Sequence, residues 1–465
     1  MLVKIDVKII DGYWRIIKMS DNSTDNILSD IEDILSSGDK INYLSNLNYA
    51  YLELCKQIED LGYKSNFELE AVGDYCFFVN GGEVSDIKIY TPSGIVILAS
   101  FEKKFNQQFG TFEQNKKLLD YAIEHNRCCC ALGVDAFNDW LSTAYKVQGR
   151  DINLNACRTI FKRVYPEISE DMLDLAKETT SGYQVAVKGY YDKKLYHYDI
   201  ASSYPSQLLN DTPIGEPIEF NRIEDVPSTY FYVVKIRVID VKIKSGCIDF
   251  LSIDKKNVTT LYLTKHLYQL FNFNYTYFAV KFARILAFKT RKDVFTSFIQ
   301  RTIIDGKMKE TDPSIAKYNK SIANSLNGYF GKNAIKRLTA KDSNGQITSK
   351  IVPNSPVYLP VYLFTTGKAK AEFIATLQRI GTSHIVYANT DGFYCDKELD
   401  LDWLNRGRSG EIGVFKHKYT LERCYINCIN GVAGVTIDGT IVNTLSGMTL
   451  PTAISVEQYE SRDFE

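Results

Sequence analysis

The sequence predicts an α+β protein, because strand-like runs and amphipathic helices are mixed along the whole chain. The N-terminal region combines an alternating run, Asp86–Phe101, with an amphipathic segment, Lys116–His125. The C-terminal region is rich in strand-forming residues and has turn signals within Val435–Met448. Most of the chemically informative residues lie in three short segments far apart in the chain: Tyr196–Gln207, Lys320–Asn333 and Val386–Tyr394.

Composition sets limits on the class of protein. The 465 residues are 45% hydrophobic and 24% charged, as expected for a soluble globular chain of several domains. The formal net charge of −1 is unevenly distributed. Residues 1–130 hold 20 acidic and 13 basic residues, whereas residues 281–341 hold 14 basic and 4 acidic ones. The basic region coincides with the second segment, so it is a candidate surface for phosphate groups.

Cysteine usage and hydropathy indicate a cytoplasmic protein. The ten cysteines form no CxxC pair, so we expect reduced thiols rather than a disulfide framework or a zinc site. Charged residues interrupt the first twenty positions, so we expect no signal peptide. No apolar run reaches about 18 residues, so we expect no membrane span.

The first segment delivers an aspartate at the end of a strand. Leu195–Ile200 alternates as a strand and ends with Asp199, and Tyr204–Ser206 reads as a turn before a helix. The Asp199 carboxylate and the Ile200 carbonyl are hard oxygen ligands suited to divalent metals. The Tyr204 ring could exclude the 2′-hydroxyl of a nucleotide sugar. The structural alternative is an aspartate that caps a helix.

The second segment predicts a helix with a polar face. Helical spacing puts Lys320, Asn324 and Asn327 on one side, and Lys320 can neutralise triphosphate charge. Lys309, just upstream, is a second candidate triphosphate ligand. The apolar positions expected to face the core are Ile315, Tyr318, Ile322 and Leu326. The structural alternative is a surface helix with solvated lysines.

The third segment predicts a hairpin, with Asn389–Gly392 as its turn and Asp391 at the tip. An Asp-Gly turn is common in any hairpin. Combined with Asp199, however, it predicts a pair of carboxylates that hold two Mg²⁺ ions, with Mn²⁺ as a substitute. Two metals and a basic helix are the parts needed for nucleotidyl transfer. The sequence therefore predicts a nucleic-acid polymerase.

The three segments resemble the motifs of family B DNA polymerases, in particular the protein-primed subgroup of small phages and linear plasmids. DIASSYPS, KSIANSLNG and YANTD carry the resemblance, which covers about residues 110–450. It implies a right-hand architecture of palm, fingers and thumb. It also implies Asp199 and Asp391 as metal ligands and Tyr204 as a sugar gate. The implied nucleotide contacts are Lys320, Asn324 and Tyr387.

The resemblance also implies a domain plan. Residues 1–165 would form a shrunken RNase H-like domain derived from an exonuclease. Residues 166–400 would form palm and fingers, with inserts at about 233–275 and 331–356. In this subgroup such inserts contact the priming protein and support strand displacement. Residues 401–465 would complete the palm and form a reduced thumb.

The chain departs from the family pattern at several positions. Asn389 replaces an aspartate of the third motif, and Asn327 replaces a tyrosine of the second. The KxY signature of the thumb is not visible in Cys424–Val432, and the YxGG motif is altered to Thr179–Gly182.

The exonuclease motifs show larger departures. The first strand lacks DxE, and Ser45–Leu54 has Ala50 where the second exonuclease motif carries an aspartate. The segment Lys116–His125 lacks YxxxD. Two-metal hydrolysis needs those carboxylates, so we expect a chain without proofreading activity.

These observations predict templated DNA synthesis from dNTPs onto a primer 3′ end or a protein hydroxyl. The expected partners are primer-template DNA, dNTPs and a terminal protein, and we expect a monomer. Two alternatives remain open at this point. One is a repurposed nucleotidyltransferase that is untemplated or modifies a protein, and the other is an inactive DNA-binding scaffold.

Overall fold

The computed structural model describes residues 132–144, 154–166, 182–251, 258–331, 357–429 and 431–445, positions 117, 118 and 121, and the strands below that lie outside these ranges. Strands β1 to β8 are Leu2–Ile10, Tyr13–Lys18, Lys40–Tyr43, Lys64–Ser65, Glu70–Val72, Tyr75–Phe78, Asp86–Thr91 and Gly94–Ala99. Strands β9 to β17 are Gln184–Ala186, Gly189–Tyr191, Leu195–Ile200, Thr212–Phe220, Phe231–Ile239, Lys242–Ile243, Thr259–Thr264, Tyr275–Thr276 and Ala279–Arg291. Strands β18 to β24 are Ile335–Lys341, Ile347–Pro353, Ile385–Asn389, Gly392–Cys395, Phe415–Cys428, Gly431–Thr436 and Ile441–Leu445.

Helices α1 to α8 are Leu132–Ala144, Leu154–Val164, Ser203–Gln207, Lys265–Asn274, Thr296–Ile299, Pro313–Phe330, Leu359–Ile380 and Leu401–Leu404. A π-helical segment, Gln300–Met308, precedes α6. The chain divides into two compact units: Met1–Ser142 with Gln300–Pro356, and Thr143–Ile299 with Val357–Glu465. The predicted domain boundaries at 165 and 400 stay predictions.

The second unit is built on an antiparallel sheet with the strand order β24-β23-β22-β11-β21-β20-β9, and β10 pairs with β22. Strand β11 lies in the middle of this sheet, between β22 and β21. Its inward positions are apolar, with Tyr198 almost fully buried against Phe393 at a ring distance of 5.5 Å. The sheet therefore holds the end of β11 in a fixed position.

A second sheet, β12-β17-β13-β15, belongs to the same unit. The long helix α7 packs on strands of this sheet and contributes Phe373, Ile374 and Leu377 to the core that both sheets share. Gly367 makes this approach possible, because a Cβ atom there would collide with the Thr264 side chain. The helix ends at Gly381, whose φ of 100° suits glycine.

Helix α6 belongs to the first unit, and its start is specified locally. The Asp312 carboxylate accepts hydrogen bonds from Ser314 N (2.9 Å) and Ile315 N (3.3 Å), and Pro313 occupies the first turn. The predicted apolar face is confirmed, since Tyr318, Ile322 and Leu326 are fully buried while Ile315 is half-buried.

The predicted position of Asn327 on the polar face of α6 is wrong. Lys320 and Asn324 are exposed, but Asn327 is 3% exposed and therefore lies on the buried side of α6. Asn327 follows Lys320 by seven residues, which is slightly less than two full turns of an α-helix. Its side chain is therefore rotated by about 20° around the helix axis from that of Lys320. This rotation carries Asn327 towards the core.

Most of the predicted local structure is confirmed. The α+β class holds, and the predicted insert at 233–275 contains β13, β15 and α4. The segment 331–356 contains the antiparallel hairpin β18–β19, whose predicted tip lies outside the described residues. Residues 435–448 include the turn between β23 and β24. Among the described helices, none is both long and apolar enough to cross a bilayer.

A second local prediction is corrected, and two further segments lie wholly or mostly outside the described residues. Residues 204–206 are helical rather than a turn, because α3 already begins at Ser203. The segment Ser45–Leu54 lies outside the described residues. Of Lys116–His125, only positions 117, 118 and 121 are described, all of them helical.

Candidate active site

The pairing of β11 with β21 brings the two predicted carboxylates to the same end of adjacent strands. Asp199 lies directly opposite Gly392, and Asp391 precedes that glycine in the hairpin turn. One residue beyond the Asp199–Gly392 pair, Ile200 N donates a hydrogen bond of 3.0 Å to the carbonyl oxygen of Asp391. The main chain thus joins two positions that are 192 residues apart in sequence.

Two glycines allow this close arrangement. A Cβ atom on Gly392 would lie 3.3 Å from Asp199 Oδ1 and 3.2 Å from His197 Nε2. A Cβ atom on Gly182 would lie 2.6 Å from Thr390 Oγ1 and 3.0 Å from Thr390 Cα. Thr390 itself has a φ of 62°, in the left-handed region. Gly182, the last residue of the altered YxGG motif, therefore supports the turn that carries Asp391.

The chain leaves β11 through a braced turn. Ala201 N donates to Val414 O (2.9 Å), and Gly413 N donates to Ala201 O (2.7 Å). A Cβ atom on Gly413 would lie 2.9 Å from the Ser206 side chain, so this loop packs directly on α3. The backbone after Asp199, including the predicted carbonyl ligand Ile200, is fixed from both sides.

Helix α3 places Tyr204 near Asp391. The Tyr204 side chain is half-buried. Burial, and after it the negative charge of Asp391, raises the pKa of Tyr204 to about 12. The phenol therefore stays protonated at physiological pH and offers a neutral ring with a hydroxyl donor.

Asn389 is held by the surrounding polar groups. Its Oδ1 accepts hydrogen bonds from Gln184 Nε2 (3.0 Å) and Thr390 Oγ1 (3.1 Å), and its Nδ2 donates to the Tyr387 hydroxyl (3.4 Å). Tyr387 is 6% exposed, and its ring contacts Tyr394 at 5.2 Å. The predicted nucleotide contact of Tyr387 stays a prediction, because its visible role is to pack the sheet and orient Asn389.

A cation that the sequence analysis missed lies at the site. Lys418 Nζ is 3.2 Å from Asp199 Oδ2. His197 does not supply a second cation, because burial, followed by the charge of Lys418, lowers its pKa to about 4. The available sequence signal was the run Lys416-His417-Lys418, in which three consecutive polar residues break the alternation of a strand.

The donor set suits hard divalent metals. The strand pairing brings Asp199 and Asp391 to one end of the sheet, and Asp199 already holds a cationic group there. In the described part of the chain, no cluster of three or more histidine, cysteine, aspartate or glutamate side chains forms a metal site. Magnesium in phosphoryl-transfer sites is held by one or two carboxylates together with substrate phosphates, so two carboxylates are sufficient.

The other predicted nucleotide ligands belong to the first unit. Lys320 and Asn324 are exposed one turn apart on α6. Lys309 follows the π-helical segment, and its Nζ lies 2.8 Å from Asp305 Oδ1. The hydrogen bond from Lys309 lowers the pKa of Asp305. Lys309 would have to leave this exposed partner in order to bind a phosphate.

Comparison with protein families defines the class. A model described as DNA polymerase type B, organellar and viral, matches residues 85–397, which is more than half of the chain. The class is therefore that of the DNA-directed DNA polymerases. Within it, the chain belongs to the organellar and viral type B DNA polymerases. A search of curated proteins finds no match.

Solved structures of Phi29 DNA polymerase are similar to this chain. The complex with primer-template DNA and incoming nucleotide substrates has a TM-score of 0.68 at 17% identity, covering 96% of this chain and 93% of that one. The binary complex with primer-template DNA has a TM-score of 0.66 at 18% identity, covering 96% and 92%. The complex with single-stranded DNA gives the same values as the binary complex. The predicted right-hand polymerase fold is thus confirmed.

The packing of Gly182 on Thr390 yields a testable prediction. Gly182→Ala should destabilise the protein by about 1–3 kcal/mol, because the new methyl group must push the Asp391 turn away. DNA synthesis should slow as well. The control is Gly189→Ala, whose Cβ atom would meet nothing closer than 3.8 Å. Thermal unfolding and primer extension measure both effects, and equal behaviour of the two variants would contradict the packing argument.

Proposed function

We propose that this DNA polymerase transfers nucleotides from dNTPs by a two-metal mechanism in which Asp199 and Asp391 are the protein ligands. The observation that supports the proposal is the register of β11 against β21, in which Asp199 lies opposite Gly392, the residue after Asp391. When bound, two Mg²⁺ ions would lower the pKa of the primer hydroxyl and stabilise the charge of the leaving pyrophosphate. Mn²⁺ has suitable ligand chemistry as a substitute.

The chain's own residues would position the reactants. Tyr204 presents a neutral ring next to Asp391, where it can contact the sugar of an incoming nucleotide. Lys320 and Asn324 offer an ammonium group and an amide one turn apart, a pattern suited to a triphosphate and its nucleoside. Preorganised charges of this kind provide much of the rate in phosphoryl transfer.

The proposed partners are primer-template DNA and dNTPs. Phi29 DNA polymerase has been solved with primer-template DNA, with incoming nucleotides and with single-stranded DNA. The resemblance to the protein-primed subgroup extends the proposal to a terminal protein whose hydroxyl starts synthesis. The strands and helix at 233–275 and the hairpin at 331–356 would be the two inserts that this mode of priming uses. We propose that the chain works as a monomer.

The metal assignment predicts a severe loss of synthesis in two variants. Asp199→Ala or Asp391→Ala should reduce primer extension by more than about 100-fold, because each removes a carboxylate ligand. Asp192→Ala is the control, since Asp192 is exposed between β10 and β11. Steady-state extension rates and circular dichroism measure activity and folding. Normal synthesis by either folded variant would remove that carboxylate from the mechanism.

The position of Tyr204 predicts an altered choice of sugar. Tyr204→Val should raise the relative use of ribonucleotides by about 100-fold, because the ring that meets the 2′-hydroxyl is gone. Tyr204→Phe keeps the ring and should keep the selectivity. Single-nucleotide incorporation with dNTP and NTP pairs gives the ratio of kcat/KM values. An unchanged ratio in Tyr204→Val would refute the role as a sugar gate.

We further propose that the chain lacks proofreading. The support comes from sequence: the carboxylates of the exonuclease motifs are missing from residues 1–165. Labelled single-stranded DNA incubated with Mg²⁺ should therefore keep its 3′ end. The Asp199→Ala variant is assayed in parallel. Because it should not run the polymerase reaction in either direction, any degradation that it shows is hydrolysis and not reversal of synthesis. Metal-dependent degradation that persists in this variant would contradict the proposal.

A further inference from the structure

Strand β22 contains one residue more than its partner β11 at the site. His197 lies opposite Tyr419 and Tyr198 lies opposite His417, so Lys418 is the extra residue of a β-bulge. Bulges re-aim side chains and occur often beside active sites. In a regular ladder, Lys418 would lie opposite Tyr198 and therefore on the other face of the sheet from Asp199. The bulge instead turns Lys418 to the face of Asp199.

The contact with Asp199 is specific to this lysine. Lys418 Nζ lies 3.2 Å from Asp199 Oδ2, with the two side chains 42% and 27% exposed. Lys416 is directly opposite Asp199 in the register. Within the described residues, however, Lys416 makes no ion pair with that carboxylate. The bulge, rather than the general positive charge of β22, therefore brings an ammonium group to the metal ligand.

The charges at the site have a consequence for metal binding. Within the described residues, the acidic groups of the proposed site are Asp199 and Asp391. Asn389, two residues before Asp391, is neutral, and Lys418 offsets the charge of Asp199. Affinity for hard cations depends strongly on the number of charged ligands. A site with so little net negative charge binds a free metal ion weakly, whereas a triphosphate brings further anionic oxygens.

We propose that Lys418 is a built-in counterion of Asp199. The divalent metal must displace Lys418 from this carboxylate, so the site fills when metal and triphosphate arrive together. This inference rests on the proposed function, because it assumes that Asp199 is a metal ligand. Lys418 acts through Asp199 and is therefore a positioning residue. Its role is to keep the carboxylate paired and oriented in the free enzyme and to discourage metal binding without nucleotide.

The test is a direct binding measurement on the full chain without DNA. Free Mn²⁺ is titrated and counted by electron paramagnetic resonance for the unaltered protein, Lys418→Gln and Lys416→Gln. Lys418→Gln should bind Mn²⁺ about two- to fivefold more tightly, the equivalent of one partly exposed ion pair. Lys416→Gln removes the same charge two residues away and should change the affinity less. Equilibrium dialysis with Mn²⁺ and dATP then measures the loaded site.

The outcomes separate the inference from the function beneath it. If the unaltered protein binds the Mn²⁺–dATP complex but Lys418→Gln has the same Mn²⁺ affinity as the unaltered protein, the counterion role is wrong and the metal assignment stands. An equal increase in Mn²⁺ affinity in Lys418→Gln and Lys416→Gln would also overturn the counterion role, because the total positive charge of β22 would then be the cause. If Asp199→Asn binds Mn²⁺–dATP as well as the unaltered protein, the metal assignment fails together with the inference.

Discussion

The hydrogen-bonded pairing of β11 with β21 is the constraint on which the site depends. It sets Asp199 opposite Gly392 and is extended by the bond from Ile200 N to Asp391 O. Because the register of paired strands fixes which residues share a face, a slip by one residue would move Asp199 to the buried side. Tyr198 and Phe393, stacked beneath this point, oppose such a slip. A hydrophobic contact thus determines the geometry of a charged site.

The surrounding elements hold that geometry by close packing. Gly182 lies against the turn at Thr390, and Gly413 lies against α3 at Ser206. A Cβ atom at Gly182 would lie 2.6 Å from the Thr390 side chain and one at Gly413 would lie 2.9 Å from the Ser206 side chain, so any side chain at these positions would strain the packing. The polar groups are equally restrained, since the Asn389 amide accepts a hydrogen bond from Gln184 of β9 and donates one to Tyr387 of its own strand. A rigid frame of this kind keeps the carboxylates and Tyr204 in place before substrates bind.

The sequence predicts the parts of the site that depend on local pattern. Alternation identified β11, and the Asp-Gly turn identified the hairpin that carries Asp391. The bulge at Lys418 escaped detection, because its cause is the pairing of β22 with a strand more than 200 residues earlier. The burial of Asn327 was missed because spacing along a helix does not fix where the core lies. Tertiary packing decides what local periodicity leaves open.

Extension of a labelled primer on a defined template with one dNTP at a time tests the central claim most directly. The protein is supplied with Mg²⁺, and separately with Mn²⁺. The account predicts that only the dNTP complementary to the template base is added. Addition of all four dNTPs alike would contradict templated synthesis and indicate a repurposed transferase. Failure to add any nucleotide with either metal would indicate a DNA-binding scaffold and contradict the assignment of Asp199 and Asp391 as an active pair.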